Sequence, residues 1–152
     1  LSVGADKVAI NTAALLAPQL ITRGAKEFGS QCIVVSIDAK IVNGALVVMS
    51  HGGAVATAYD PVSWAKIAEA QGAGEILLNS IDRDGMRTGY DIALLDAVSR
   101  AVHIPVIGCG GAGEWSHFAE ALSNTGVDAV AAANIFHYSD LHILKKDYYN
   151  LD

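Results

Sequence analysis

The chain has 152 residues, enough for one domain with a core of its own. Hydrophobic residues make up 52% of it and charged residues 17%, a balance that suits strands buried on both faces. The net charge of −6 with scattered Lys and Arg argues against nucleic acid, and no apolar run is long enough to span a membrane.

The first apolar run is Lys7–Asn11 (KVAIN), short and read as a strand. Pro18–Phe28 follows as a helix candidate. Cys32–Asp38 (CIVVSID) is the second strand. An extra segment, Ile41–Thr57, comes next, in which Ala45–Ser50 suits a short hairpin arm and Gly52-Gly53 a flexible turn. Asp60-Pro61 looks like an N-cap followed by proline at the first helical position. The helix it opens runs to Gln71, with Trp64, Ile67, Ala68 and Gln71 on one stripe.

Glu75–Ser80 (EILLNS) is a strand, followed by a helix over Ile92–Ala101 that carries Leu94, Ala97, Val98 and Ala101 on one face. Pro105–Gly108 (PVIG) is a strand, and Glu114–Leu122 a helix with Trp115, Phe118, Ala119 and Leu122 aligned. The aromatic residues on these stripes read as core. Val127–Ala133 (VDAVAAA) is the last strand, and a last helix covers Leu141–Tyr149.

The order is therefore a β-α unit repeated five times. A weak internal repeat supports it. Gly4–Asn11, Gly72–Asn79 and Gly126–Ala133 each place a glycine before a strand, and a polar residue at or just past its carboxyl end. In parallel α/β folds that end is where sites are built.

No signal-peptide pattern is present, and the chain starts at Leu1 rather than Met, which suggests a fragment or a processed product. Cys32 and Cys109 lie in apolar contexts and read as reduced thiols of a cytoplasmic protein. No pair has metal-ligand spacing, so neither metal nor cofactor is expected. His51, His103, His117, His137 and His142 are dispersed and read as loop or surface residues.

Three polar clusters follow strand ends. Asn11-Thr12 can offer backbone amides and a hydroxyl to a phosphate oxygen, or be an ordinary strand-to-helix cap. Gly108-Cys-Gly-Gly-Ala-Gly113 lets N–H groups approach an anion at the start of the next helix. It matches neither the Walker nor the dinucleotide pattern, and paired with Ala133-Asn134 it suits a phosphate, a tight turn being the alternative. Asp82, Asp84 and Gly85 follow the third strand, while Asp38 ends the second. Carboxylates at two strand ends can serve proton transfer in one mouth, or pair structurally with Arg83, Arg87 or Lys40. Lys7 and Glu75 begin strands at the opposite end of the sheet. They either pair across a barrel floor or mark exposed strand starts.

DKVAINTAA, FGSQCIVVSIDAK, GAGEILLNSIDRDGMRTGYD, PVIGCGGAG and AVAAANIFH, in that order through nearly the whole chain, resemble the cyclase subunits of imidazole glycerol phosphate synthase. The resemblance implies an α/β (β/α)8 barrel, here a partial one of about five β-α units matching the family's fourth to eighth. It implies a bisphosphorylated substrate and ammonia supplied by a glutaminase subunit. The reaction is a lyase-type step of histidine biosynthesis that yields imidazole glycerol phosphate and aminoimidazole carboxamide ribotide.

By position, Asp38 matches the second catalytic carboxylate, acting as acid or base. Asn11 and Thr12 match one phosphate site. Asn79, Asp84, Gly85, Gly110, Gly111, Ala133 and Asn134 match the other site and its neighbourhood. Lys7 and Glu75 match a charged ammonia gate, and Arg83 braces the loop that presents Asp84.

Three units of the family barrel, with its first catalytic aspartate, have no counterpart here. An open sheet leaves edges that invite a completing segment or a second copy. Asn79 stands where the family usually has threonine, and Cys109 and Asn134 where it often has serine. Those departures resemble cyclase-like paralogues that amidate nucleotide-sugar precursors of surface polysaccharide. An inactive half-barrel scaffold is the non-enzymatic alternative.

Overall fold

A computed structural model describes residues 1–133 and 135. Five strands run parallel: β1 (Val8–Ile10), β2 (Ile33–Val42), β5 (Glu75–Ser80), β6 (Val106–Cys109) and β7 (Ala129–Ala131). Between β2 and β5, β3 (Ala45–Ser50) and β4 (Val55–Ala56) fold back antiparallel as the hairpin arm. The sheet order is β4-β3-β2-β5-β6-β7, with β1 also on β2. Both β1 and β3 fit against β2 because it is ten residues long: β1 pairs with Ile33–Val35 and β3 with Asp38–Val42. A turn at Asn43-Gly44, both with φ above zero, makes the reversal.

Helices connect the parallel strands. They are α1 (Thr12–Leu16), α2 (Gln19–Phe28), α3 (Pro61–Ala70), α4 (Ile92–Ser99) and α5 (Trp115–Asn124). Asp60 caps α3 as its sequence suggests, accepting from Ser63 N–H at 2.9 Å, and those bonds hold its carboxyl below the ordinary value. Asp91 caps α4 likewise, accepting from Leu94 N–H at 3.1 Å.

The core lies between the sheet and its helices. Ile33, Val35, Ile37 and Ala39 of β2, and Ile76 and Leu78 of β5, are buried there against Ile21, Trp64, Leu94, Leu95 and Val98. Each Val, Ile or Leu among them contributes about 1.5–3 kcal/mol of transfer free energy. The opposite face carries Ser36, Asp38, Leu77, Asn79, Ile107 and Cys109, all half-buried. Burial on both faces was expected from the apolar strands. Only the helix face is sealed, because the sheet is open and its other face is the one a closed barrel turns inward.

Two helix stripes also differ from expectation. In α4 the buried residues are Leu94, Leu95 and Val98, while Ala97 is exposed. In α5 Ala121 is the buried residue; Trp115 is 63% and Leu122 47% exposed, and Phe118 packs at the margin. Spacing identifies a stripe but not its rotation, and here the helix is turned so that Ala121 is covered. The expected helix Leu141–Tyr149 and residue Asn134 lie outside the described residues.

Candidate functional site

Strand register brings the strand-end polar residues into one row. Asp38 pairs in register with Asn79, Asn79 with Cys109, and Cys109 with Ala131. All four stand on the open face, because parallel partners share a side. Asn11, one residue past β1, completes the row from the other flank. Its Nδ2 donates to Asp38 Oδ2 at 2.8 Å, and Asn79 Nδ2 donates to Asp38 Oδ1 at 3.2 Å. Asn11 occupies the cap position of α1, yet its side chain makes no bond to that helix. Its amide serves Asp38 instead. The side-chain Oδ1 atoms of Asn11 and Asn79 are both buried and have no hydrogen-bond partner. A carboxylate oriented by two amides, beside two unpaired acceptors, is suited to meet a substrate that brings N–H or O–H groups.

Thr12 lies beside Asn11. Its Oγ accepts from His51 N–H at 2.7 Å, which ties the hairpin arm to the start of α1. That bond uses a lone pair, so the Thr12 hydroxyl proton is still able to donate.

The loop between β5 and α4 divides its labour. Asp82 Oδ2 accepts from Ile41 N–H at 2.7 Å, locking the loop to the end of β2. Arg83 Nη1 donates to Thr88 Oγ at 3.3 Å, closing the loop on itself. Asp84 and Gly85 line a pocket of about 180 Å³ together with Cys109, Gly110, Gly111, Ala112 and Ala131–Ala133. Tyr90, at the loop's far end, donates from its hydroxyl to the Ala131 carbonyl at 3.1 Å and packs edge-on against Phe118. Burial, with Cys109 adding to it, pushes the Tyr90 phenol up to about 12, so it stays a neutral donor.

The glycine loop forms the other wall of the pocket. Gly89 N–H donates to the Gly111 carbonyl at 2.9 Å, fastening the two loops together. At Gly110 (φ +89°) a Cβ would stand 2.6 Å from the Ser80 carbonyl oxygen and 2.8 Å from Asn79 Oδ1. Only glycine fits there. Burial, and then Asp84 and Asp38, push the Cys109 thiol above its ordinary value, so it is a neutral lining group rather than a thiolate nucleophile.

At the other end of the same face Lys7 Nζ meets Glu75 Oε2 at 2.5 Å. Glu75 is in register with Val34, four residues before Asp38 on β2. At about 3.3 Å per residue the ion pair sits roughly 13 Å below the carboxylate, along the face. The two ends differ: the Glu75 side chain is 14% exposed, while that of Lys7 is 50% exposed, as an exposed strand start would be.

Comparison with known proteins decides the family. The sequence profile described as "Histidine biosynthesis protein" matches residues 1–142. The chain belongs to the histidine biosynthesis protein family. That family is a (β/α)8 barrel, and the open parallel sheet is part of one. Imidazole glycerol phosphate synthase subunit HisF of Hydrogenobaculum sp. (strain Y04AAS1) is 55% identical over 144 residues, 94% of this chain and 57% of that protein. The HisF subunits of Anoxybacillus flavithermus (strain DSM 21510 / WK1) and Geobacillus kaustophilus (strain HTA426) are 53% and 54% identical over 145 residues. Each comparison covers 94% of this chain and 58% of the relative. The chain thus spans somewhat over half the length of the curated relatives it matches.

Of the residues singled out from sequence, this member of the histidine biosynthesis family has Asn11, Asp38 and Asn79 in one hydrogen-bonded set. Asp84, Gly85, Gly110, Gly111 and Ala133 share the neighbouring pocket. Thr12 adjoins the first group, and Lys7 and Glu75 form a separate pair at the opposite end. Tyr90, within the block ending GYD, was given no role of its own, and it bonds the Ala131 carbonyl at the pocket wall. His117, expected as a loop or surface histidine, is half-buried on α5 and bonds Gly113, next to the pocket residue Ala112. Among the described residues no three His, Cys, Asp or Glu side chains come together as a metal site, and no helix is long and apolar enough to cross a membrane.

Proposed function

We propose that the chain is the larger part of the cyclase subunit of an imidazole glycerol phosphate synthase, and that residues 1–152 form one partial-barrel domain of it. The full-length protein takes ammonia from a glutaminase subunit. It converts the phosphoribulosyl-formimino aminoimidazole carboxamide ribonucleotide to imidazole glycerol phosphate and aminoimidazole carboxamide ribotide, a lyase-type step. The reading carries with it a cytoplasmic site of action. The observation that carries it is Asp38, held by Asn11 and Asn79 beside the Asp84–Gly111 pocket on one face of the sheet. The names of the relatives point the same way.

In this mechanism Asp38 transfers the proton as acid or base. The pocket of Asp84, Gly85, Gly110, Gly111 and Ala133 takes one phosphate of the substrate, and Asn134, the next residue in sequence, is assigned to the same site. Asn11 and Thr12 take the other. The Lys7–Glu75 pair gates ammonia, which enters where the glutaminase docks and travels the face toward Asp38. The sugar-amidating paralogue shares this plumbing and differs in acceptor. Open sheet edges at β7 and at β1 and β4 are where a completing segment or a second copy pairs.

The test is ammonia-driven turnover by the full-length protein. Imidazole glycerol phosphate should form from the ribonucleotide, and Asp38→Asn should lower kcat by about 10²–10⁴. No product from the wild type, or full activity in Asp38→Asn, rejects the assignment. Amidation of a nucleotide-sugar instead would establish the paralogue.

A further inference from the structure

Helix α5 starts with an unusual cap. The third residue of a helix, when Glu or Gln, often reaches back to the N–H of the capping residue. Here that residue is His117. Its Nδ1 accepts from Gly113 N–H at 3.1 Å and from Glu114 N–H at 3.3 Å. Two donors aimed at one ring nitrogen leave no place for a proton on it, so the donors assign the Nε2–H tautomer.

The ring also reaches across the pocket's seam. A Cβ at Gly89 would lie 3.5 Å from His117 Cδ2. Gly89 is the residue that donates to Gly111 and joins the two loops walling the pocket. Beneath it there is no slack: a Cβ at Gly113 would meet the Arg87 carbonyl oxygen at 2.5 Å. His117 therefore holds the end of the glycine loop, Gly113, and covers the partner loop at the point where the two are bonded.

We propose that His117 is a positioning residue for the anion pocket: its unprotonated Nδ1 keeps the glycine loop in the shape that admits a phosphate. The proposal rests on the phosphate reading of the pocket given above. Removing that acceptor leaves the Gly113 and Glu114 N–H groups without their bond to the ring, so the cap opens and Gly113 loses its anchor.

The experiment uses the full-length protein and inorganic sulfate at one fixed pH. Sulfate affinity is followed by the amide shifts of Gly110, Gly111 and Gly113. His117→Gln, whose amide oxygen can make the cap bond, should keep the affinity within about twofold of the wild type. His117→Phe, which fills the space without an acceptor, should bind about fivefold more weakly. The ring nitrogen shifts of the wild type should show the neutral ring carrying its proton on Nε2. Unchanged affinity in His117→Phe, equal loss in His117→Gln and His117→Phe, or a neutral ring carrying its proton on Nδ1, overturns the proposal and leaves the phosphate reading intact. Sulfate that binds none of these proteins overturns both.

Discussion

Gly111→Ala measures how tightly the two loops of the pocket are locked. Gly111 has φ +106°, a conformation that costs a side-chain-bearing residue about 1–3 kcal/mol. The added Cβ would stand 2.2 Å from the Gly89 carbonyl oxygen and 3.1 Å from Arg83 Cβ. The first contact is with backbone and cannot be relieved by a rotamer change. The Gly89 segment must move, and the 2.9 Å bond from Gly89 N–H to the Gly111 carbonyl is lost, about 1 kcal/mol more. Gly44 supplies the control: its φ is +82°, and a Cβ there meets nothing within 4 Å. Gly44→Ala should therefore carry the conformational cost alone. In urea unfolding of the full-length protein, Gly111→Ala should be destabilised by about 2–4 kcal/mol and exceed Gly44→Ala by about 1 kcal/mol or more. The same variant should lose phosphate affinity, which Gly44→Ala should keep. Equal destabilisation with unchanged phosphate binding would refute the locked-loop reasoning.

Other consequences are open to direct measurement. Glu75→Gln should change stability by no more than about 1 kcal/mol, because Lys7 is half exposed. It should alter the ratio of glutamine-driven to ammonia-driven turnover; an unchanged ratio removes the gate. Cys109 should react slowly with iodoacetamide at neutral pH and faster as the pH rises, since its thiol is held above the ordinary value, and Cys109→Ser should keep phosphate binding. Fast alkylation at neutral pH would contradict this. Tyr90 has its phenol raised to about 12, so the folded state holds that proton more tightly than the unfolded chain. Its contribution is intact below the ordinary phenol value of about 10 and is lost as pH climbs toward the folded value. Tyr90→Phe should remove that alkaline step and lower stability by about 1 kcal/mol at neutral pH, through the lost bond to Ala131.

Much of this fold is written in local signals. EILLNS forms β5 over Glu75–Ser80, and the Asp-Pro pair caps α3 where it should. Those signals are short-range: strand propensity between glycines, and a side chain bonding an N–H three residues on. β2 runs on to Val42 because a hairpin partner, β3, pairs with its second half, and nothing in CIVVSID announces that. The five-residue α1 was missed because Ala-Leu-Leu is too short to show a period. The exposure of Trp115 and Leu122 depends on how α5 is rotated, which the spacing of its apolar residues does not state. The candidate site was legible as types of residue at strand ends, but not as contacts. That Asn11 serves Asp38 rather than its own helix, and that Asp82 braces while Asp84 lines the pocket, follow from register between distant strands. His117 was expected as a loop or surface histidine; its place as the third residue of α5, half-buried over the glycine loop, depends on where the helix starts.

The most direct test of the whole reading is a crystal structure of the full-length protein with its bisphosphorylated substrate bound. One phosphate should lie against Asp84, Gly85, Gly110 and Gly111, the other beside Asn11 and Thr12, with Asp38 between them facing the reacting atoms. A substrate bound with both phosphates away from these loops, or with Asp38 turned from it, would contradict the shared mouth on which the function depends.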